Sequence, residues 1–235
     1  MTGVRVQKIL SQCGISSRRE AEKLISQGLV TINGRTAKLG DRAALGKDAI
    51  KVHGKLLREK APQLYIAFHK PKGVIAMITT DLHNRPTLSH YLTKLKHRVF
   101  PVGRMDFNTE GLLLLTNNGE FAQELRMNSN LSRTYIVKVS GHPTPDALTR
   151  LEKVFRSKHS KLQLESIRVC QRLTKKVKIE VCLIGQGKAE MKALFEKAGF
   201  LVERVIRTAI GPLKLKDLQP GEYRFLKKNQ VDVLK

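Results

Sequence analysis

The 235-residue chain has no tryptophan, and aromatic residues make up only 5% of it. It has three cysteines, Cys13, Cys170 and Cys182. Their odd number, wide separation and lack of a C-x-x-C pair argue against a disulfide framework and a thiolate metal site, and fit a reducing cytosol. Long apolar runs are also missing. The opening "MTGVRVQKILSQCG" lacks the apolar core of a signal peptide, and no run approaches the roughly 18–20 residues of a membrane helix. A cytoplasmic protein with no membrane partner is expected. The scarcest class is acidic: 20 Asp and Glu stand against 44 Lys and Arg, a net charge of +24.

What remains is a foldable, strongly basic chain. Its 41% apolar content is ordinary for a packed core, and the length suits one large domain or a small and a medium one. A pI near 10.3 favours a polyanionic partner, of which nucleic acid is the commonest. Residues 1–60 hold 13 basic and 5 acidic side chains and residues 61–235 hold 31 and 15, so the charge belongs to the body and not to a tail.

The first 60 residues read as helix, helix, hairpin. Ile9, Leu10 and Cys13 share a helical face that Gly14 can end. Ser17-Arg18-Arg19-Glu20 matches the capping box, Ala21, Leu24 and Ile25 continue at helical spacing, and Gly28 sits at a C′ position. Leu29 to Ile32 is a strand, Asn33-Gly34 a tight turn, and His53-Gly54 a second one. Arg18, Arg19 and Lys23 lie off the apolar stripe near a helix start, where the macrodipole disfavours cations and a phosphate would offset the conflict. This segment resembles the ribosomal-protein-S4-like RNA-binding domain, which implies that these three cations contact RNA. "EKAPQ", with Pro62, reads as the linker.

From Leu64 the chain turns strand-rich. "LYIAFHK", "TYIVKVSG" and "KVKIEVCLI" alternate, and helices fit near residues 118–127, 145–155 and 187–198. The order predicts an α+β domain over 61–235 with a mixed, mainly antiparallel sheet. "VCLIGQGKAEMKALFEKAG" mimics a dinucleotide-binding turn, but Glu190 occupies the third glycine position and no βαβ unit follows. Lys188 has no Walker spacing. The seven histidines show no ligand spacing, and no G-x-S-x-G elbow occurs. No nucleotide, metal or other cofactor is expected.

One stretch remains unusual. "VGRMDFNTEGLLLLTNNG" sets Asp106 and Glu110 in a polar loop before four leucines. Taken alone, such a loop is explained by turn chemistry, with Arg104 able to pair with either acid. But "GRMDFNTEGLLLLTNNG" resembles the signature of the RsuA/RluB-type ribosomal RNA pseudouridine synthases. "FHKPKGV", "RPTL", "RVFPVGRMD", "RTYIVKV" and "IGPLKLKDLQPGEYRFL" match the same family in the same order. The resemblance implies an enzyme that isomerises specific uridines in ribosomal RNA, breaking the C1′–N1 bond and rejoining the uracil through C5. Such a reaction requires no redox cofactor, ATP or metal.

By this resemblance Asp106 is the catalytic aspartate, acting on the ribose of a flipped-out nucleotide as nucleophile or base. Either role needs the ionised carboxylate, which cationic surroundings favour. Tyr135 maps onto the family's active-site tyrosine, which stacks on the target uracil; the alternative is a core residue in line with Val137 and Val139. Lys70, Lys72, Arg85 and Arg104 are expected RNA contacts, and Glu110 a structural residue. The chain departs from the family at Ala189-Glu190-Met191-Lys192-Ala193-Leu194. There Lys192 stands for an arginine facing the aspartate, keeping its charge but losing its two-pronged geometry, with Lys188 a possible substitute. The rival readings are a non-catalytic RNA-binding or ribosome-assembly protein on a decayed synthase scaffold, and a basic DNA-binding protein. A monomer is the expected state.

Overall fold

The computed structural model describes residues 3–156, 162–185 and 190–235. The chain forms two compact units. Met1–Gln63 with Leu95–Arg98 make the first, and Leu64–Lys94 with Val99–Lys235 the second.

The first unit opens with β1 (Val4–Arg5), α1 (Val6–Gln12) and α2 (Arg18–Ser26). Ser17 caps α2: its hydroxyl accepts from the Glu20 amide at 3.2 Å, and the Glu20 carboxylate accepts from the Ser17 amide at 2.8 Å. Strands β2 (Val30–Ile32), β3 (Arg35–Thr36), β4 (Arg42–Ala43), β5 (Ile50–Val52) and β6 (Lys55–Leu56) follow. They form an antiparallel sheet in the order β3-β2-β5-β6, with β1 paired to β4. Both predicted turns form, with φ 50° and 84° at Asn33-Gly34 and 47° and 75° at His53-Gly54. These left-handed values suit the twist of a two-residue hairpin. The apolar face of the helices meets the sheet through Ile9, Leu10, Ala21, Ile25, Val30 and Ile50. The Leu95–Arg98 excursion joins this unit through an ion pair, Arg98 Nη1 to Glu20 Oε2 at 2.6 Å.

The second unit is built on one mixed sheet. Its strands are β7 (Tyr65–Lys70), β8 (Phe100–Pro101), β9 (Thr109–Thr116), β10 (Arg133–Ser140), β11 (Leu162–Leu173), β12 (Lys176–Gly185), β13 (Val202–Ile210), β14 (Leu213–Lys214) and β15 (Tyr223–Phe225). The order is β11-β12-β10-β13-β9-β7-β15, with β8 on β9 and β14 on β13. Among the described strands only β9 and β13 pair in parallel. Helices α3 (Gly119–Met127), α4 (Pro145–Phe155), α5 (Met191–Lys197) and α6 (Lys228–Asp232) complete it. The predicted helix over 187–198 is described from Met191, and residues 186–189, including Lys188 and Ala189, lie outside the described residues.

Two apolar cores flank the sheet. Tyr135, Val137, Val139, Val177, Ile179 and Val181 pack with Leu151 and Phe155 of α4 and Phe195 of α5. Ala67, Leu112 and Leu114 pack with Phe121 and Leu125 of α3. Alternation sends Val205 to the first core and Ile206 to the second. All eight residues of β9 are buried, so its continuous leucine run matches a central strand covered on both faces.

Candidate active site

Asp106 lies in the turn that leads into β9. The Thr109 amide donates to the Asp106 carbonyl at 3.1 Å, and the Gly73 amide donates to the Phe107 carbonyl at 2.9 Å. This second bond ties the "KPKG" loop after β7 to the Asp106 loop. Asp106 is half-buried, and its side chain lines an open cavity of about 490 Å³. Lys72, Phe107, Glu190, Lys192 and Arg204 share that lining. Residues 86 positions apart, Asp106 and Lys192, therefore face one space. Lys192 is exposed and lies 3.6 Å from Glu196 one turn along α5.

The expectation that Lys70 contacts phosphate is wrong. Lys70 is fully buried at the end of β7, with no exposed surface for a ligand. Its ammonium donates to the carbonyls of Val74 at 2.7 Å, Pro71 at 2.9 Å and Phe107 at 3.3 Å. Burial lowers its pKa to about 8, opposed by the negative charges of Asp106 and Glu110, while Arg207 adds repulsion. A lysine at this depth survives because three carbonyls and two carboxylates replace its hydration. It is a fastening within the site's floor.

The floor continues across the sheet. Lys70 pairs with Gly111, Gly111 with Arg207, and Arg207 with Tyr135, so one row crosses four strands. Arg207 is 5% exposed, and its Nε donates to the Leu112 carbonyl at 2.7 Å. Burial, the charge of Arg207 and a compensating attraction to Tyr135 act on Arg133, and the net effect lowers its pKa. Tyr135 is 4% exposed and packs with Val137 and Val139. The strand thus holds its ring in the core layer, where it presents no open stacking face. It does not line the Asp106 cavity as Lys192 does.

Glu110 is 5% exposed and pairs with Arg204 of β13, not with Arg104. This agrees with a structural role. Lys72, Arg85 and Arg104 are exposed, as are Arg18, Arg19 and Lys23 of the first unit. Arg85 grips Asp81 through Nε at 2.9 Å and Nη2 at 3.0 Å, and lies 6.0 Å from the centre of the Phe107 ring. Sequence reasoning missed Arg204, Arg207 and Phe107. Arg207 left a signal, as a cation at an inward position between Val205 and Ala209 in an alternating strand.

The family model for RNA pseudouridylate synthase matches residues 64–198, and that for the S4 domain matches residues 4–48. The ribosomal large subunit pseudouridine synthase B of Bacillus subtilis (strain 168) is 33% identical over 236 residues, covering 98% of this chain and 95% of that protein. An uncharacterized RNA pseudouridine synthase of Aquifex aeolicus (strain VF5) is 34% identical over 233 residues, covering 98% and 93%. The crystal structure of a pseudouridylate synthase superposes with a TM-score of 0.63 at 24% identity, covering 99% of this chain and all of that one, which is a likeness of fold.

Proposed function

Because the chain belongs to the RNA pseudouridylate synthase family, we propose that it converts specific uridines of ribosomal RNA to pseudouridine, with Asp106 as the group that acts on the ribose. One observation carries the assignment of the site. Asp106 and Lys192, supplied by separate elements, line one open cavity in the region that the family model covers. The cavity is wide enough for a nucleotide turned out of its helix.

In this reading residues 1–60, which lie in the first unit, grip RNA, and residues 61–235 carry out the isomerisation. Arg18, Arg19 and Lys23 hold phosphates on the first unit, while Lys72, Arg85 and Arg104 hold them around the cavity mouth. Lys192 places a positive charge opposite the Asp106 carboxylate. Tyr135, buried beside Val137 and Val139 and paired with Arg207, supports the floor of the site from within the core. The C1′–N1 bond breaks, a C1′–C5 bond forms, the C5 proton leaves and N1 takes one up, so atoms and electrons balance with no co-substrate. Lys70 keeps the Asp106 loop at its station against the neighbouring one.

The test is conversion of uridine in unmodified ribosomal RNA by purified protein, read by sequencing for pseudouridine. Asp106→Asn is expected to bind RNA with unchanged salt dependence and to form no product. Full activity in that variant contradicts the assignment, and a parent protein that binds RNA without turnover revives the binding-protein alternative.

A further inference from the structure

A second cleft, of about 480 Å³, opens on the first unit. Arg5, Lys8, Arg18 and Arg42 line it, drawn from β1, α1, α2 and β4, with Glu22 as its one acidic residue. Charge alone makes it a general anion site. Gln7 makes it more selective. This side chain also lines the cleft, is 8% exposed, and keeps its amide oxygen buried with no hydrogen-bond partner. The amide cannot simply be turned over, because its nitrogen donates to the Glu22 carboxylate at 3.4 Å. A carboxylate can accept only from the nitrogen end of the amide, which fixes the oxygen as the atom left waiting.

An orphaned acceptor calls for a donor, and a phosphodiester or an ionised carboxylate has none to give. The occupant must carry a negative charge and, within a few ångströms of it, a hydroxyl or amine. A ribonucleotide has this pair in its 2′-hydroxyl and adjacent 3′-phosphate, and a deoxynucleotide does not. We propose that the cleft holds one ribonucleotide of the RNA, its phosphate among Arg5, Arg18 and Arg42 and its 2′-hydroxyl donating to Gln7 Oε1. Glu22 fixes the amide and repels the phosphate from its own end, which sets the direction in which the sugar lies. The site rests on the reading of the chain as an RNA-modifying enzyme and adds to it a means of choosing RNA over DNA before any base reaches the cavity.

The experiment measures binding of a labelled RNA stem-loop, its all-deoxy counterpart and its 2′-O-methyl counterpart to the full chain over a series of salt concentrations. The parent is expected to bind the ribose form roughly ten-fold more tightly than either substituted form. Gln7→Leu is expected to weaken only the ribose form and so reduce that ratio, with an unchanged salt slope. Arg42→Ala is expected to weaken all three probes alike and flatten the salt slope by about one. Equal binding of the three probes by the parent overturns the proposal whatever the variants do. So does a Gln7→Leu protein that keeps the ratio, or one that loses all three probes alike, which would make Gln7 a packing residue. If Gln7→Leu does not fold, Gln7→Met supplies the same comparison. Binding is read without turnover, so a chain that isomerises uridine but lacks the Gln7 effect fails here alone. One that shows the effect and makes no pseudouridine fails only as a synthase.

Discussion

The Lys70 ammonium donates to the carbonyl oxygen of Phe107, the residue that follows Asp106, across 37 positions of sequence. The same ammonium holds Val74 and Pro71, so a single buried cation joins the two loops at the cavity. Replacing it with methionine removes the charge and leaves three carbonyls without that donor. The Lys70→Met protein is expected to lose about 2–4 kcal/mol of stability, measured by urea unfolding. Turnover should fall further than the unfolded fraction explains, because the Asp106 loop loses its tie.

Lys70 also gives a pH signature. Its folded pKa of about 8 lies below the ordinary 10.5, so between those values the unfolded chain binds the extra proton. Stability from this group therefore rises with pH across that window and is flat below it. The difference in unfolding free energy between the parent and Lys70→Met should grow in the parent's favour from pH 8 to pH 10.5, by up to about 3 kcal/mol. A constant difference across the window would show that the ammonium is not desolvated as the structure places it.

The ion pair of Glu110 and Arg204 is asymmetric, with 6% of the Glu110 side chain exposed against 51% of Arg204. Arg204→Ala strands a buried carboxylate, whereas Glu110→Gln leaves an arginine that water can solvate. The first is expected to cost about 3 kcal/mol and the second about 1 kcal/mol. Thermal unfolding of the two variants side by side checks the order. Equal costs would mean that the pair contributes through geometry and not through burial.

Much of this fold was legible because it follows from short-range rules. Tyr135, Val137 and Val139, and Val177 to Leu183, alternate at the strand period, and Ser17 to Glu20 carry a cap that forms as written. The site was legible only through the long motif around Asp106. Lys70 was misplaced because lysine is almost never fully buried unless paired, and beside the nearby carbonyls of Pro71 and Val74 its partners are Phe107 and the charges of Asp106 and Glu110, which no local pattern brings near. Glu110 and Arg204 are 94 residues apart, and only the parallel pairing of β9 with β13 joins them. Tyr135 was ambiguous in sequence because a stacking residue and a core residue occupy the same inward strand position.

That parallel pairing depends on Gly111. Its φ is +106°, and a Cβ built on it would lie 2.3 Å from the Arg207 carbonyl oxygen and 2.7 Å from the Arg207 amide nitrogen. Both atoms are backbone of the adjoining strand, so no side-chain rotation relieves the clash. An alanine must push β13 away from β9, and with it Arg207 and its pairing with Tyr135. Gly111→Ala is expected to cost more than about 4 kcal/mol, at the severe end for a single methyl group. Soluble yield and hydrogen exchange in β9 and β13 read this directly. The first unit should keep its own protection, because its core from Ile9 to Ile50 draws nothing from that sheet. Uniform loss of protection in both units would instead show that they unfold as one.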